Sequence, residues 1–463
     1  MRDSADHLQS RHDGGHVTQL AVSADAIAGG TGDVVGTSPW WHKLTGPLLG
    51  SAIDLAMRCC CRVEVYGAEH LRHAQGALVV SNHRRDTDGP IVGGILLQRC
   101  GLRLRGVRPY FVAREDLFRR GFLLQYLGHC PPPLRRVLGT LALGSVLRSI
   151  QLLPMRRIRE RSVLEVLEDV LHVLGDRRLD EVLRPEGVLR FARHTTCPPE
   201  ELTVGRALQA HGPLLYERHA FRKLTLEALR ALKPYERRAI DTQLAAFVAL
   251  LEAGETVLLE PEGTISVDGS FKRPRRALHT LLNGPARAPH VLPVALSYDF
   301  MTPRRSRVLV RFGASRKDAA GRCRRDTDAL IKESLLSQCM VTASQLTARY
   351  VREQLRNGAL TVSAGALEAY VAAVAAHCQS GGVPVDPQLL EARSRRRRIR
   401  ECLAFCRAQG IITAANNGAL KLDQRLGQAP ANRFDAHGII GYLNNEIDAI
   451  ASVRPEILAD ATP

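Results

Sequence analysis

Short apolar segments alternate with helical segments between residues 62 and 312, and this alternation constrains the fold more than any other feature of the sequence. Apolar runs of this length, bounded by turn residues, are typical of buried strands, and their alternation with helices predicts an α/β domain. The predicted strands lie at residues 62–66, 76–81, 109–113, 256–260, 290–298 and 307–312. Helices are predicted at residues 40–61, 90–98 and 139–153.

The rest of the sequence predicts how the chain is divided. Residues 1–38 are polar and glycine-rich, which predicts a flexible tail, and the α/β domain is expected to cover residues 39–318. Helical periodicity over residues 158 to about 253 predicts a helical insertion in that domain. Residues 319–463 are expected to form a mainly helical C-terminal domain. A predicted hairpin at residues 411–423 makes a winged-helix-like end one interpretation of it.

Composition limits the partners and the compartment. The formal net charge of +17 favours polyanions, which include anionic lipid, phosphorylated substrates and nucleic acid. The 11 cysteines are odd in number and residues 59–61 are three adjacent ones, a pattern that fits a reducing, cytoplasmic location. The N-terminal residues lack the apolar run of a signal peptide, and no stretch reaches the roughly 18 apolar residues of a spanning helix.

The first candidate site lies at residues 81–90, SNHRRDTDGP, where a predicted buried strand ends and a helix soon begins. Four residues separate His83 from Asp88, and a turn can close that distance. A carboxylate on one ring nitrogen fixes the tautomer and leaves the other nitrogen free to take a proton from a hydroxyl. Asp86 is a competing carboxylate, expected to point elsewhere. A histidine near an aspartate is more often a structural hydrogen bond, so this motif needs independent support.

A second candidate site, residues 260–266 or EPEGTIS, also follows a predicted buried strand. Gly263 allows a sharp turn that leaves backbone N–H groups open to an anion, and Thr264 adds a hydroxyl donor. Glu262 is expected to bond a substrate hydroxyl or to hold an arginine. A surface turn is the alternative, since residues 184–188, RPEGV, repeat the tripeptide. That copy lacks the preceding strand and the threonine, so the sequence favours Glu262.

Two weaker features lie between and after these motifs. Residues 151–157, QLLPMRR, end an apolar segment with a basic pair, and Arg157 is a candidate phosphate contact. A solvated charge pair explains the same residues equally well. Residues 291–295, VLPVA, carry an internal Pro293, which belongs at a sheet edge or beside a site. An ordinary edge strand is the alternative there.

In this order, the four segments resemble the glycerophospholipid acyltransferase family, which includes glycerol-3-phosphate and lysophosphatidate acyltransferases. That family carries Asn-His-x-x-x-x-Asp, a block ending in Pro, a small apolar residue and Arg, then Pro-Glu-Gly-Thr, then an apolar-Pro-Val block. The corresponding residues are Asn82, His83 and Asp88, then Pro154, Met155 and Arg157, then residues 261–264, then residues 292–294. The resemblance covers roughly residues 60–315.

The resemblance implies a mixed sheet flanked by helices and an O-acyltransferase of phospholipid biosynthesis. Such an enzyme moves a fatty acyl group from acyl-CoA or acyl-carrier protein to a hydroxyl of glycerol-3-phosphate or lysophosphatidate. His83 and Asp88 would be catalytic, and Pro293 would lie near the acyl donor. The acceptor's phosphate and glycerol would be bound by Arg157, Glu262, Gly263 and Thr264. No cofactor and no metal are expected.

The net charge also predicts peripheral contact with an anionic membrane, because basic residues lie beside the short apolar segments near the site. These are Arg119, Arg120, Arg135, Arg136, Arg156 and Arg157. The acceptor stays open, because Arg84 resembles the glycerol-3-phosphate branch whereas Asn82 resembles the lysophosphatidate branch. Arg85 also replaces a serine that is frequent in the family.

Two other classes of protein compete with this interpretation. The net charge, the run of arginines at residues 395–398 and the winged-helix interpretation suggest a nucleic-acid-binding protein. Aromatic content of 5% and the spread of basic residues through the chain disfavour it. Arg85 also leaves room for a catalytically inactive interaction protein, which the intact His83, Asp88 and Glu262 disfavour.

Overall fold

A computed structural model of the chain describes residues 40–98, 107–118, 144–195, 197–209, 213–302, 305–415, 419–423, 426 and 436–457. Its strands are β1 Cys61–Tyr66, β2 Leu78–Ser81, β3 Tyr110–Arg114, β4 Leu152–Met155, β5 Val257–Leu259, β6 Val291–Asp299, β7 Ser306–Phe312, β8 Thr361–Val362, β9 Ile412–Ala414 and β10 Leu420–Leu422. Its helices are α1 Trp40–Cys60, α2 Asp88–Gln98, α3 Gly144–Ser149, α4 Val163–Leu174, α5 Leu179–Val182, α6 Pro185–Thr195, α7 Val204–Gln209, α8 Leu226–Glu252, α9 Arg276–Asn283, α10 Arg324–Leu336, α11 Ala343–Arg356, α12 Ala364–Ser380, α13 Ala392–Ala408 and α14 Ala436–Ala451. The predicted tail at residues 1–38 lies outside the described residues.

Seven strands form the central sheet, in the order β1-β7-β6-β2-β5-β3-β4. Every neighbouring pair is parallel except β6 and β7, which are antiparallel. The predicted α/β fold with a mixed sheet and flanking helices is therefore confirmed. The carboxyl ends of parallel strands meet at one edge of a sheet, and α/β folds place their sites at that edge.

The two faces of the sheet pack against different helices, because side chains alternate along a strand. In β2, Val79 belongs to the core formed with α2 and with the C-terminal helices. Its neighbours Leu78 and Val80 belong to a second core on the other face, formed with α8, α9 and α10. The strand is thus buried on both faces, as its uninterrupted apolar sequence predicts.

Two of the predicted elements differ from the structure. Part of the helix predicted at residues 139–153 is strand β4, which pairs with β3. Gln151 has a φ of 61°, and this left-handed conformation separates α3 from the strand. A short apolar run fits a strand or a helix equally well, which explains the error. Pro293 does not lie at an edge, because β6 lies between β7 and β2.

The helical segments α4 to α7 and the first half of α8 surround a small core of their own. A buried ionic group joins this region to the sheet. Arg156, just after β4, lies 2.9 Å from Glu115 and 3.3 Å from Asp169. Arg161 pairs with Asp169 and with Glu236. Arg156 therefore forms ion pairs inside the protein. Contrary to the prediction, it does not face a lipid surface. The predicted lipid contacts at residues 119, 120, 135 and 136 lie outside the described residues.

The C-terminal region contains α10 to α14 and a three-stranded sheet in the order β8-β10-β9. Its apolar residues continue the core of one face of the central sheet. In the arginine run, Arg398 is buried beside Asp299, and Arg396 pairs with Glu368. The domain boundaries and the winged-helix interpretation stay predictions. Among the described residues, no helix combines the length and apolar character needed to cross a membrane.

Candidate active site

The two strongest motifs of the sequence follow neighbouring parallel strands. Strands β2 and β5 pair up to Val80 and Leu259. Glu260 follows Leu259, the last residue of β5. His83 lies three residues after Val80, just beyond the end of β2. Because the loops after the two strands leave the sheet at the same edge, the structure brings the residues of the two motifs together.

The imidazole of His83 is held by the carboxylate of Asp88, as the spacing predicts. The Nδ1 atom lies 3.3 Å from Oδ2 of Asp88, and both side chains are buried. Asp88 is the first residue of α2. Asp86, the competing carboxylate, is exposed.

Three donors fix the carboxylate of Asp88 itself. The backbone N–H groups of Arg84 and Arg85 donate to Oδ2, at 2.5 and 2.7 Å. The hydroxyl of Tyr298, on β6, donates to Oδ1 at 2.5 Å. Hydrogen bonds to an ionised carboxylate are short and strong, so Asp88 has little freedom to turn away from His83.

Asn82 ties the same loop to β6. Its side-chain amide donates to the carbonyl of Leu296 at 2.9 Å and accepts from the Leu296 N–H at 2.8 Å. The side-chain amide thus bonds both backbone groups of Leu296, as a residue of a neighbouring strand would. These two bonds fix the backbone directly before His83. The asparagine therefore orients the dyad without touching its reacting nitrogen.

Glu262 contacts His83 through the backbone. Its carboxylate is fully buried, accepts the N–H of His83 at 3.2 Å, and accepts the N–H of Lys272 at 2.9 Å. The structure thus brings together residues 81–90 and 260–266, and Glu262 holds the backbone of His83. Both carboxylate oxygens of Glu262 are thus bonded within the protein. Its contact with a substrate hydroxyl stays a prediction.

The backbone turns at Gly263 as the sequence predicts, but the N–H of Gly263 donates to the carbonyl of Glu260 at 3.0 Å and is not open to an anion as expected. Gly263 has a φ of 68°, and a Cβ there would lie 3.0 Å from the side chain of Arg275. The hydroxyl oxygen of Thr264 lies 3.5 Å from the Nζ atom of Lys272. Glycine is required by the left-handed backbone, and basic side chains lie beside the turn.

Glu260 is a site residue that sequence reasoning missed. One of its carboxylate oxygens lies 3.1 Å from Nε2 of His83, the nitrogen opposite Asp88. Burial raises the pKa of the Glu260 carboxyl to about 7, against the lowering effect of the His83 charge. Burial lowers the pKa of His83, but the charges of Glu260 and Asp88 outweigh it and raise that pKa overall.

His83, Asp88 and Glu260 offer ligand atoms that lie within 4.8 Å of one another, a spacing compatible with one cation. The two carboxylates face different ring nitrogens, Asp88 at Nδ1 and Glu260 at Nε2. This carboxylate–imidazole–carboxylate arrangement suits proton sharing, and we assign no metal to it.

The remaining predicted site residues lie at different distances from this centre. Arg157 pairs with Glu160 at 3.4 Å, and its positive charge lowers the pKa values of Glu260 and His83. Its guanidinium therefore lies within electrostatic range of the dyad. Pro293 is buried beside Val80, in the interior of the sheet, and its carbonyl accepts the N–H of Gly313 at 2.9 Å. Its predicted closeness to an acyl donor stays a prediction.

Residues 62–131 match the model of the Acyltransferase family. This segment contains the whole His83–Asp88 dyad, and the predicted resemblance to acyltransferases is confirmed there. Residues 62–131 are thus similar to acyltransferases, and acyl transfer by the chain is treated below as a proposal.

The crystal structure of the 1-acyl-sn-glycerophosphate (LPA) acyltransferase PlsC from Thermotoga maritima is similar at 12% identity, over 68% of this chain and 90% of that chain, with a TM-score of 0.30. At this TM-score the similarity supports no argument about the present chain. No curated protein matches the chain at a significant level.

Proposed function

We propose that the protein transfers a fatty acyl group from acyl-CoA or acyl-carrier protein to a hydroxyl of glycerol-3-phosphate or lysophosphatidate, in phospholipid biosynthesis. One observation carries the proposal. The His83–Asp88 dyad and the Pro-Glu-Gly-Thr turn converge at the sheet edge, where Glu262 accepts the backbone N–H of His83.

The chemistry needs a base and an ordered acceptor. The acceptor hydroxyl attacks the thioester carbonyl while Nε2 of His83 takes its proton, and Asp88 stabilises the imidazolium that forms. The new ester C–O bond forms, the C–S bond breaks, and the imidazolium returns the proton to the leaving thiolate. A well-placed general base typically contributes roughly two to four orders of magnitude in rate.

The position of Glu260 affects this proton transfer. In the structure its carboxylate lies beside Nε2, the only ring nitrogen of His83 that does not face Asp88. An acceptor hydroxyl that reaches Nε2 therefore displaces the Glu260 carboxylate or enters beside it. A carboxylate at this point also suits an acceptor with a second hydroxyl to donate, which glycerol-3-phosphate has.

The charges near the site support a phosphorylated acceptor. Arg157 acts electrostatically on His83 and Glu260, and Lys272 reaches the hydroxyl of Thr264 beside the glycine turn. Arg275 donates to the backbone carbonyl of Glu262 at 3.2 Å. A phosphate between these groups would receive charge-assisted hydrogen bonds, the strong kind in proteins.

An exposed apolar face supports peripheral membrane binding. On α1, Leu48 is 72% exposed and Leu55 is 64% exposed, and Val146 on the adjoining α3 is 41% exposed. Arg58 and Arg148 are exposed on the same two helices. Apolar side chains beside basic ones suit an anionic lipid surface, which offers both acyl chains and negative charge.

Acyl transfer with a panel of acceptors tests the function. Purified protein is supplied with acyl-CoA or acyl-carrier protein and with glycerol-3-phosphate, lysophosphatidate or dihydroxyacetone phosphate. We expect Arg157→Ala to raise the KM for the phosphorylated acceptor roughly tenfold or more, and to change kcat less, because it removes a charge-assisted contact. Arg177→Ala, an exposed arginine of the insertion, is the matched control. Failure of every acceptor with both donors would overturn the proposal.

A further inference from the structure

The residue after the proposed base is buried against the far end of the chain. Arg84 is 2% exposed, and its Nε atom lies 3.4 Å from a carboxylate oxygen of Glu446, on α14. Glu446 is itself 4% exposed. The two residues are separated by most of the chain, so this ion pair links the dyad loop directly to the C-terminal region.

The same arginine also holds the loop that follows the glycine turn. One of its terminal nitrogens, Nη1, donates to the carbonyls of Gly269 and Ser270, at 3.2 and 3.4 Å. That loop is bonded to the dyad at its other end, because the N–H of Ser266 donates to the carbonyl of His83 at 3.3 Å. Arg84 thus closes a ring of contacts around the backbone of His83.

Helix α14 contacts this loop at two further points. Asn445 donates from its side chain to the carbonyl of Asp268 at 2.9 Å. Gly269 has a φ of 85°, and a Cβ there would lie 2.1 Å from the carbonyl oxygen of Tyr442. Only glycine permits so close an approach of the loop to the helix.

Glu446 is in turn fixed from the other side. Its second carboxylate oxygen accepts from the side chain of Gln345, on α11, at 3.1 Å. A buried ion pair offers little net stability over apolar residues of similar volume, because both charges lose their hydration. What such a pair does supply is a defined position for its two partners, and here one partner is adjacent to the base.

We propose that Glu446 is a positioning residue for His83, acting through Arg84, so that helix α14 is an integral part of the acyl-transfer site. This inference rests on the proposed function. It gives the C-terminal region a role in orienting the dyad loop.

The test compares two variants that remove one negative charge from the same helix. Glu446→Gln breaks the pair with Arg84, whereas Asp448→Asn breaks an exposed pair with Arg349. We expect kcat to fall at least tenfold in Glu446→Gln with both KM values within about twofold, because a misplaced base costs up to roughly 10²-fold in rate. Asp448→Asn should keep kcat within about twofold of wild type.

A double variant keeps the test valid if Glu446→Gln does not fold. Arg84→Met with Glu446→Leu replaces the buried pair by apolar residues of similar size, an exchange that buried ion pairs tolerate. We expect this protein to fold, as judged by its thermal melt, and to lose kcat as Glu446→Gln does.

The outcomes separate the two levels of the account. Wild-type kcat in the folded double variant or in Glu446→Gln would overturn the positioning role while leaving the acyltransferase proposal intact. An equal loss in Asp448→Asn would also overturn it. Absence of acyl transfer in the wild-type protein would instead overturn the proposed function itself.

Discussion

The Nε2 atom of His83 lies 3.1 Å from a carboxylate oxygen of Glu260, on the side of the ring opposite Asp88. The imidazole thus has a carboxylate on each side. Their negative charges favour the imidazolium and raise the pKa of His83 despite its burial. A general base acts in its neutral form, so the two carboxylates shift the active form of His83 to higher pH.

The first prediction concerns the pH dependence of acyl transfer. In Glu260→Gln the raising effect of the Glu260 charge is lost, so the pKa of His83 should fall. The neutral base then persists to lower pH, and the acidic limb of kcat/KM should move to lower pH. A pH–rate profile measures the limb, and NMR titration of the His83 ring measures the pKa. An unchanged limb and an unchanged ring pKa would show that Glu260 does not act on the base.

The second prediction concerns the hydroxyl that fixes Asp88. Tyr298→Phe removes the donor that lies 2.5 Å from Oδ1 of Asp88 and leaves the ring in place. We expect kcat to fall roughly tenfold, which equals about 1.4 kcal/mol and is close to the contribution of one hydrogen bond to a charged group. Tyr370→Phe, at a buried tyrosine of the C-terminal region, serves as the control. Equal activity of the two variants would mean that Tyr298 does not orient the dyad.

The third prediction concerns the glycine turn. Gly263→Ala places a Cβ at a φ of 68° and 3.0 Å from Arg275, whereas Gly382→Ala meets the same left-handed strain at a φ of 68° in open space. Both variants should lose about 1–2 kcal/mol of stability, seen as lower thermal midpoints. Only Gly263→Ala should also lose acyl transfer, because it alone disturbs the turn beside the dyad. Normal transfer by Gly263→Ala would separate the turn from the site.

The fourth prediction concerns membrane binding. Leu48→Ser with Leu55→Ser removes two exposed apolar side chains of α1, and each loses about 1.5–3 kcal/mol of burial if that face enters a bilayer. Flotation with vesicles that contain anionic lipid should show weaker binding of this variant than of the wild type. Leu226→Ser, at another exposed leucine, should bind as the wild type does. Unchanged binding of the double variant would place the membrane contact elsewhere.

Local patterns predicted the sheet and the dyad well. The apolar runs around Val79 and Leu258 are short and bounded by turn residues, as buried strands are, and the spacing of His83 and Asp88 is short enough for one turn to close. Gly263 permits the left-handed turn that the structure shows there. These features depend on residues close together in the sequence, where steric and hydrogen-bonding rules decide the structure.

Contacts between distant residues could not be predicted in the same way. Tyr298 donates to Asp88 across 210 positions, and nothing in the sequence of β6 indicates that its hydroxyl faces the dyad. Glu260 was visible in its motif, but its contact with Nε2 depends on the pairing of β2 with β5. Arg84 was interpreted by resemblance, whereas its partner Glu446 follows only from the packing of α14.

The most direct measurement is acyl transfer by His83→Ala beside His194→Ala, which changes an exposed histidine of the insertion. Both proteins are first shown to melt as the wild type does. With acyl-CoA or acyl-carrier protein and a glycerol-phosphate acceptor, His83→Ala should lose roughly two to four orders of magnitude in kcat, while His194→Ala stays at the wild-type rate. Wild-type turnover by His83→Ala would contradict the assignment of the base on which the whole account depends.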